Sequence, residues 1–313
     1  MSRKKAVFLY EGKRMRWFAL AGIIAGVLFT ILMMHEFKGA FEDGSFYLGG
    51  GINFGFCKML GSASILIVGC IAVMSIFQFS DWHKKSTQEY LLSLPFTQKE
   101  RFLAKALCGY GTILLSGITV LLGMIYVRNC YITEFWKNLS GIAYSDIIMG
   151  NNTMWQLIQL GLQLILMMLA LYSIFLLAHI LVSRGIVAAL IGTGMSFAPI
   201  YLWGVGYVLL YDGWFFREMQ LDIPKYREWG QYFGVCVGSG FRSTDMCSQM
   251  ESSSYYIIVN YSSFWLMLFA AFAAIFIIGG LAYWISGRVD MARTGIVVQK
   301  KSARSFISAG MGV

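Results

Sequence analysis

The chain has 313 residues, 58% hydrophobic and 13% charged, with a mean hydropathy of +0.64. Soluble domains carry about 25% charged residues, so a water-soluble globular class is excluded. The net charge of +9 follows the boundaries of the apolar segments, which calls for an anionic membrane surface and for no nucleic-acid partner.

Residues 1–16 place Arg3, Lys4, Lys5, Lys13, Arg14 and Arg16 around Val7, Phe8, Leu9 and Tyr10. This mixture predicts either a helix lying in the membrane interface before the chain turns into the bilayer, or a solvated basic tail. A secretory signal is the other class with this charge pattern. The apolar run that follows is too long for one and no small-x-small site precedes Met33, Met34 and His35, so the run reads as an uncleaved first span.

Six stretches reach the roughly 20 residues needed to cross a hydrocarbon core of about 30 Å: Trp17 to Met34, Met59 to Phe79, Ala106 to Val127, Leu157 to Leu181, Ile186 to Leu210 and Phe264 to Ile285. They are continuous rather than alternating, which predicts helices and not a barrel. The expected fold is therefore all-α and polytopic. It has an N-terminal interfacial helix (1–16), a six-helix transmembrane domain (17–285) with a short cytoplasmic helix in the 80–105 loop, and a basic tail (286–313). Of the 25 Lys and Arg, 17 fall before span one, between spans two and three, between four and five, or after six. Only 5 of the 16 acids share that side, giving about +12 there against −3 opposite. By the positive-inside tendency both termini and the 80–105 loop are expected in the cytoplasm of a multi-pass cell-membrane protein.

In span one, Gly22 and Gly26 form a GxxxG that admits either intrachain packing or a dimer seam. The 80–105 loop reads SDWHKKSTQEYLLSLPFTQKERFLAK and carries two capping boxes, Ser86 to Glu89 and Thr97 to Glu100. In each, the hydroxyl accepts from a first-turn N–H and the carboxylate reaches back to the cap N–H. Pro95 stops the first helix near Leu94. About two turns are not stable alone in water, so Tyr90, Leu91, Leu92 and Leu94 need a covering surface, from the flanking helices or from a partner.

Thr112, Ser116 and Thr119 make a polar stripe in span three, and Gln156, Gln159 and Gln163 one in span four. Such stripes either bond a neighbouring helix or line a substrate path. In span five Pro199 removes a helix bond and is expected to kink it, another candidate for the path. The outer loop 212–263 is long for a bundle connector. It holds Cys236 and Cys247, a possible disulfide if that side is oxidising.

Several chemistries are absent. There is no GxxxxGK[ST] phosphate loop, no HExxH and no GxSxG, so no ATPase or hydrolase site is expected in this chain. His35, His83 and His179 have no metal-ligand spacing, and no motif brings Ser, His and acid together. No Asp, Glu, Lys or Arg lies within the six spans, with Lys105 at the edge of the third, so the mid-membrane ionisable group of ion-coupled transporters is missing.

Six spans, cytoplasmic termini, a basic first segment and STQEYLLSLPFTQKERFLAKAL between spans two and three resemble the permease subunits of type 2 ABC exporters. These carry E-x-L-x-S-L-P-x-(S/T)-(R/K)-x-x-x-x-x-K before span three. The matching positions are Glu89, Leu91, Ser93, Leu94, Pro95 and Thr97. Gln98 stands where a basic residue is common, with Lys99 next to it, and Lys105 comes one residue late. The resemblance implies that residues 86–94 are a coupling helix seated on a separate ATPase subunit, which holds ATP and Mg. It also implies that the permease acts as a homo- or heterodimer. A channel or facilitator without an ATPase, and a membrane sensor, are the alternatives.

Overall fold

In a computed structural model the long elements are all helices: α1 (Arg3–Glu42), α2 (Ile52–His83), α3 (Gln98–Leu139), α4 (Met154–Leu181), α5 (Gly185–Asp212) and α6 (Phe264–Ser286). A two-residue antiparallel ladder joins β1 (Thr244–Asp245) to β2 (Ile258–Val259). The structure describes residues 3–42, 52–83, 97–139, 152–212, 244–245, 258–259 and 264–287. The capping expectation at Ser86, the segment Glu89 to Pro95 and the Cys236–Cys247 pairing lie outside them.

Among the described residues five helices, α1, α2, α3, α4 and α6, are long and apolar enough to cross a bilayer. The chain is a multi-pass membrane protein. Its three prolines are Pro95, Pro199 and Pro224, so α1, α2, α3, α4 and α6 contain no proline to break them. α5 is assigned as helix on both sides of Pro199.

The expectation of a separate interfacial N-terminal helix is corrected. Residues 3–16 are the first turns of α1, which continues for 40 residues, about 60 Å, twice the thickness of a hydrocarbon core. Val7, Glu11 and Met15, four apart on one face, are all buried. That face packs on the bundle, so residues 3–16 are part of α1 and not a separate helix.

α1 and α3 run side by side in the same direction. Glu11 meets Lys105, Thr30 meets Gly123, the Tyr131 hydroxyl donates to Met34 O (3.2 Å), and Phe41 stacks on Tyr131 at 5.2 Å. Close approach depends on small residues. A Cβ at Gly22 would overlap Ser116 Oγ, and one at Gly26 would press on Thr119 at 2.9 Å. The GxxxG is thus used within the chain.

α2 runs opposite to α1, with Phe56 against Phe37 at one end and Asp81 against Arg14 at the other. α4 is the central helix and packs on α2, α3, α5 and α6. It begins with a reciprocal capping box. The Gln156 N–H donates to Thr153 Oγ1 (3.3 Å) and the Thr153 N–H to Gln156 Oε1 (3.0 Å). Following these contacts, the start of α1, the end of α2, the start of α3, the α4–α5 turn and the end of α6 share one end of the bundle. We call that end the base.

Candidate functional site

At the base four charged side chains close on one another. Lys105 is only 1% exposed, and burying an ammonium there is tolerable only if every N–H is bonded and the charge is matched. Both conditions hold. Its three N–H bonds go to Glu11 Oε1 (2.8 Å), Asp81 Oδ2 (2.8 Å) and Gln78 O (3.0 Å). Asp81 Oδ2 also meets Arg14 Nη1 at 3.2 Å, and Arg14 Nη2 donates to Phe77 O (2.5 Å) and Ser80 Oγ (2.6 Å). Two acids and two bases from α1, α2 and α3 make a cluster of zero net charge.

The network continues into α4. Gln78 Nε2 donates to Lys105 O (2.6 Å), and its Oε1 accepts from the Tyr172 hydroxyl (2.5 Å). Tyr172 reaches it because residue 109 is glycine, where a Cβ would collide with the phenol oxygen. Tyr110 meets Tyr172 edge to face at 5.1 Å and shares a hydrogen bond of 2.6 Å with Ser173.

Next to the cluster lies an imidazole pair. His83 Nε2 is 3.0 Å from His179 Nδ1, and His179 Nε2 is 3.0 Å from Ser75 Oγ. Phe79 stacks on His179 at 5.1 Å. The absence of a motif therefore did not mean the absence of a cluster: packing brings one serine and two histidines into line. Ser75 is fully buried at the inner end of this line. Among the described residues no group of three or more His, Cys, Asp or Glu could hold a metal.

From Phe79 an aromatic chain runs outward through Trp82 and Phe102 to Tyr283 of α6. The exposed Lys99 side chain lies over the Tyr283 ring at 5.6 Å. Thr97 and Glu100 form the reciprocal box at the start of α3. The Glu100 N–H donates to Thr97 Oγ1 (3.2 Å) and the Thr97 N–H to Glu100 Oε2 (3.1 Å).

The polar stripes have different uses. Thr112, Ser116 and Thr119 each donate to the carbonyl four residues earlier, at 2.9, 3.0 and 2.9 Å, and Ser116 and Thr119 lie in the seam with α1. Gln156 caps α4, while Gln159 and Gln163 are buried at 6% and 7% exposure. Pro199 lies within α5, its side chain outside the described ones.

Sequence reasoning passed over Glu11, Arg14, Gln78, Asp81 and Tyr172. A signal for some of them exists: Ser75, Gln78 and Asp81 are spaced by three along α2, and so share a face.

Compared with known families, curated proteins and solved structures, the chain matches no family model, no curated protein and no solved structure.

Proposed function

We infer that this chain is the transmembrane subunit of an ATP-driven exporter of the type 2 ABC class. It takes its energy from a separate ATPase subunit through residues 86–94 and works beside a second permease subunit. The observation that carries this reading is the Lys105–Glu11–Asp81–Arg14 cluster. Residues 84–96 connect α2 to α3, and the cluster ties the end of α2, the start of α3 and the foot of α1 to one another. A force applied to a segment held at both ends moves those helices together, whereas loose ends would absorb it.

The charge asymmetry supports a cytoplasmic base, six crossings and cytoplasmic termini. The Thr97–Glu100 box supports a firm start to the helix that leaves the segment. ATP and Mg belong to the partner subunit. The substrate path is proposed to run within the six-helix domain.

The test is a pull-down of the chain from its native membrane. Leu91→Asp and Leu94→Asp are expected to abolish co-purification of an ATP-hydrolysing subunit while leaving membrane insertion unchanged. Undiminished co-purification with either variant overturns the coupling assignment.

A further inference from the structure

We propose that His83 and His179 form a single proton site, taking up one proton between them and never two. The inference goes beyond the transport reading and does not depend on it.

Four contacts stand in line. His83 Nδ1 is 2.7 Å from Ser183 O, His83 Nε2 is 3.0 Å from His179 Nδ1, His179 Nε2 is 3.0 Å from Ser75 Oγ, and Ser75 Oγ is 2.7 Å from Ala72 O. Both ends are carbonyl oxygens, which only accept. Four contacts therefore need four hydrogens, one in each.

Two neutral imidazoles and one hydroxyl supply three, because a neutral ring carries a single N–H. Whichever tautomers are chosen, one contact in the line is left as two lone pairs facing each other. One proton from water completes the set. His83 then donates from both nitrogens, to Ser183 O and His179 Nδ1; His179 donates from Nε2 to Ser75; and Ser75 donates to Ala72 O. A second proton has no place, since it would set N–H against N–H across 3.0 Å.

The surroundings put the charge on His83. His179 is 2% exposed and stacked on Phe79, so an imidazolium is costly there, whereas His83 ends α2 and is only partly buried. Burial lowers the pKa of His83, and the Ser183 carbonyl and then the Asp81 carboxylate of α2 act against that. That carboxylate is shared with Arg14 of α1 and Lys105 of α3, and Arg101 of α3 also feels it. Glu11 of α1 is paired with the same Lys105 ammonium. Arg184, next to Ser183, is exposed, and α6 contributes Tyr283 through Phe102. The consequence is mechanical: the proton decides how many hydrogen bonds hold the last residue of α2, and hence the start of the 84–96 segment, to the α4–α5 turn.

The chain has only three histidines, so the full-length protein labelled with nitrogen-15 histidine in lipid nanodiscs yields three rings by NMR. His35, exposed on α1, is the reference. Between about pH 8 and pH 4, which spans the imidazole range, His83 and His179 are expected to change in one common step that adds up to a single imidazolium. H179Q is expected to alter the His83 step, and H83Q the His179 signal, with His35 unchanged as the sign of an intact fold. S75A keeps both rings and should displace the step in both together. Two independent steps reaching two imidazoliums, no change in either ring over the whole range, or an S75A displacement confined to one ring would each overturn the single-proton site.

Discussion

Lys105 Nζ and Glu11 Oε1 lie 2.8 Å apart although 94 residues separate them in the chain, and both side chains are almost wholly buried. Each charge is tolerated because of the other. Removing one partner of a buried pair leaves an uncompensated ion, while neutralising the whole set does not.

Lys105→Met is therefore expected to cost about 3–5 kcal/mol, because it strands Glu11, while Asp81 keeps Arg14. Adding Glu11→Gln to it should recover much of that loss. Denaturation midpoints in mixed micelles measure both steps, and a single variant as stable as the parent would show that the cluster bears no structural weight.

Tyr172→Phe removes the hydroxyl that donates to Gln78 Oε1. The expected loss is about 1–3 kcal/mol for an acceptor left buried without its donor. Gly109→Ala should act at the same place by blocking the approach of the phenol. The two effects should be non-additive in a double-mutant cycle on the same unfolding assay; simple additivity would separate them.

Gly22→Leu and Gly26→Leu put side chains where Ser116 and Thr119 already lie. Overpacking of this kind costs about 1–3 kcal/mol or more. Gly12→Leu is the control, since a Cβ there meets nothing within 4 Å, and replacing a helical glycine gains up to about 1 kcal/mol. Engineered cysteines on α1 and α3 would report the separation of the two helices by cross-linking yield.

Thr97→Ala should cost about 1 kcal/mol as the loss of a helix cap. The effect is local: exchange of the Glu100 amide, bonded to Thr97 Oγ1, should speed up while amides deeper in α3 keep their protection. Thr97→Ser should restore it. Unchanged exchange at Glu100 in Thr97→Ala would mean that the cap does not hold in the membrane.

Much of the architecture was legible from local patterns. Apolar runs of about 20 residues announce crossing helices because lipid leaves no other partner for backbone groups, and the Thr97–Glu100 box announces itself because both halves lie within one turn. Thr153 to Gln156 carries the same signature, although the spacing of Gln156 from Gln159 and Gln163 also reads as one polar stripe. The separate interfacial helix failed for a related reason. Basic residues mixed with apolar ones describe a segment at a boundary, but not whether its apolar face meets lipid or another helix, and Val7 and Met15 meet the bundle.

Composition, length and spacing thus suffice for an all-helical membrane protein with one strongly basic side, since hydropathy and charge are additive along the chain and need no knowledge of neighbours. Which charges are buried is a different matter. Lys105 reads as a surface residue at the edge of a span until α1 and α2 are packed beside α3, and His83 and His179, 96 residues apart, form a pair only because α2 and α4 meet at the base. Burial and pairing depend on what lies across the gap between helices, and that is decided by the packing of the bundle.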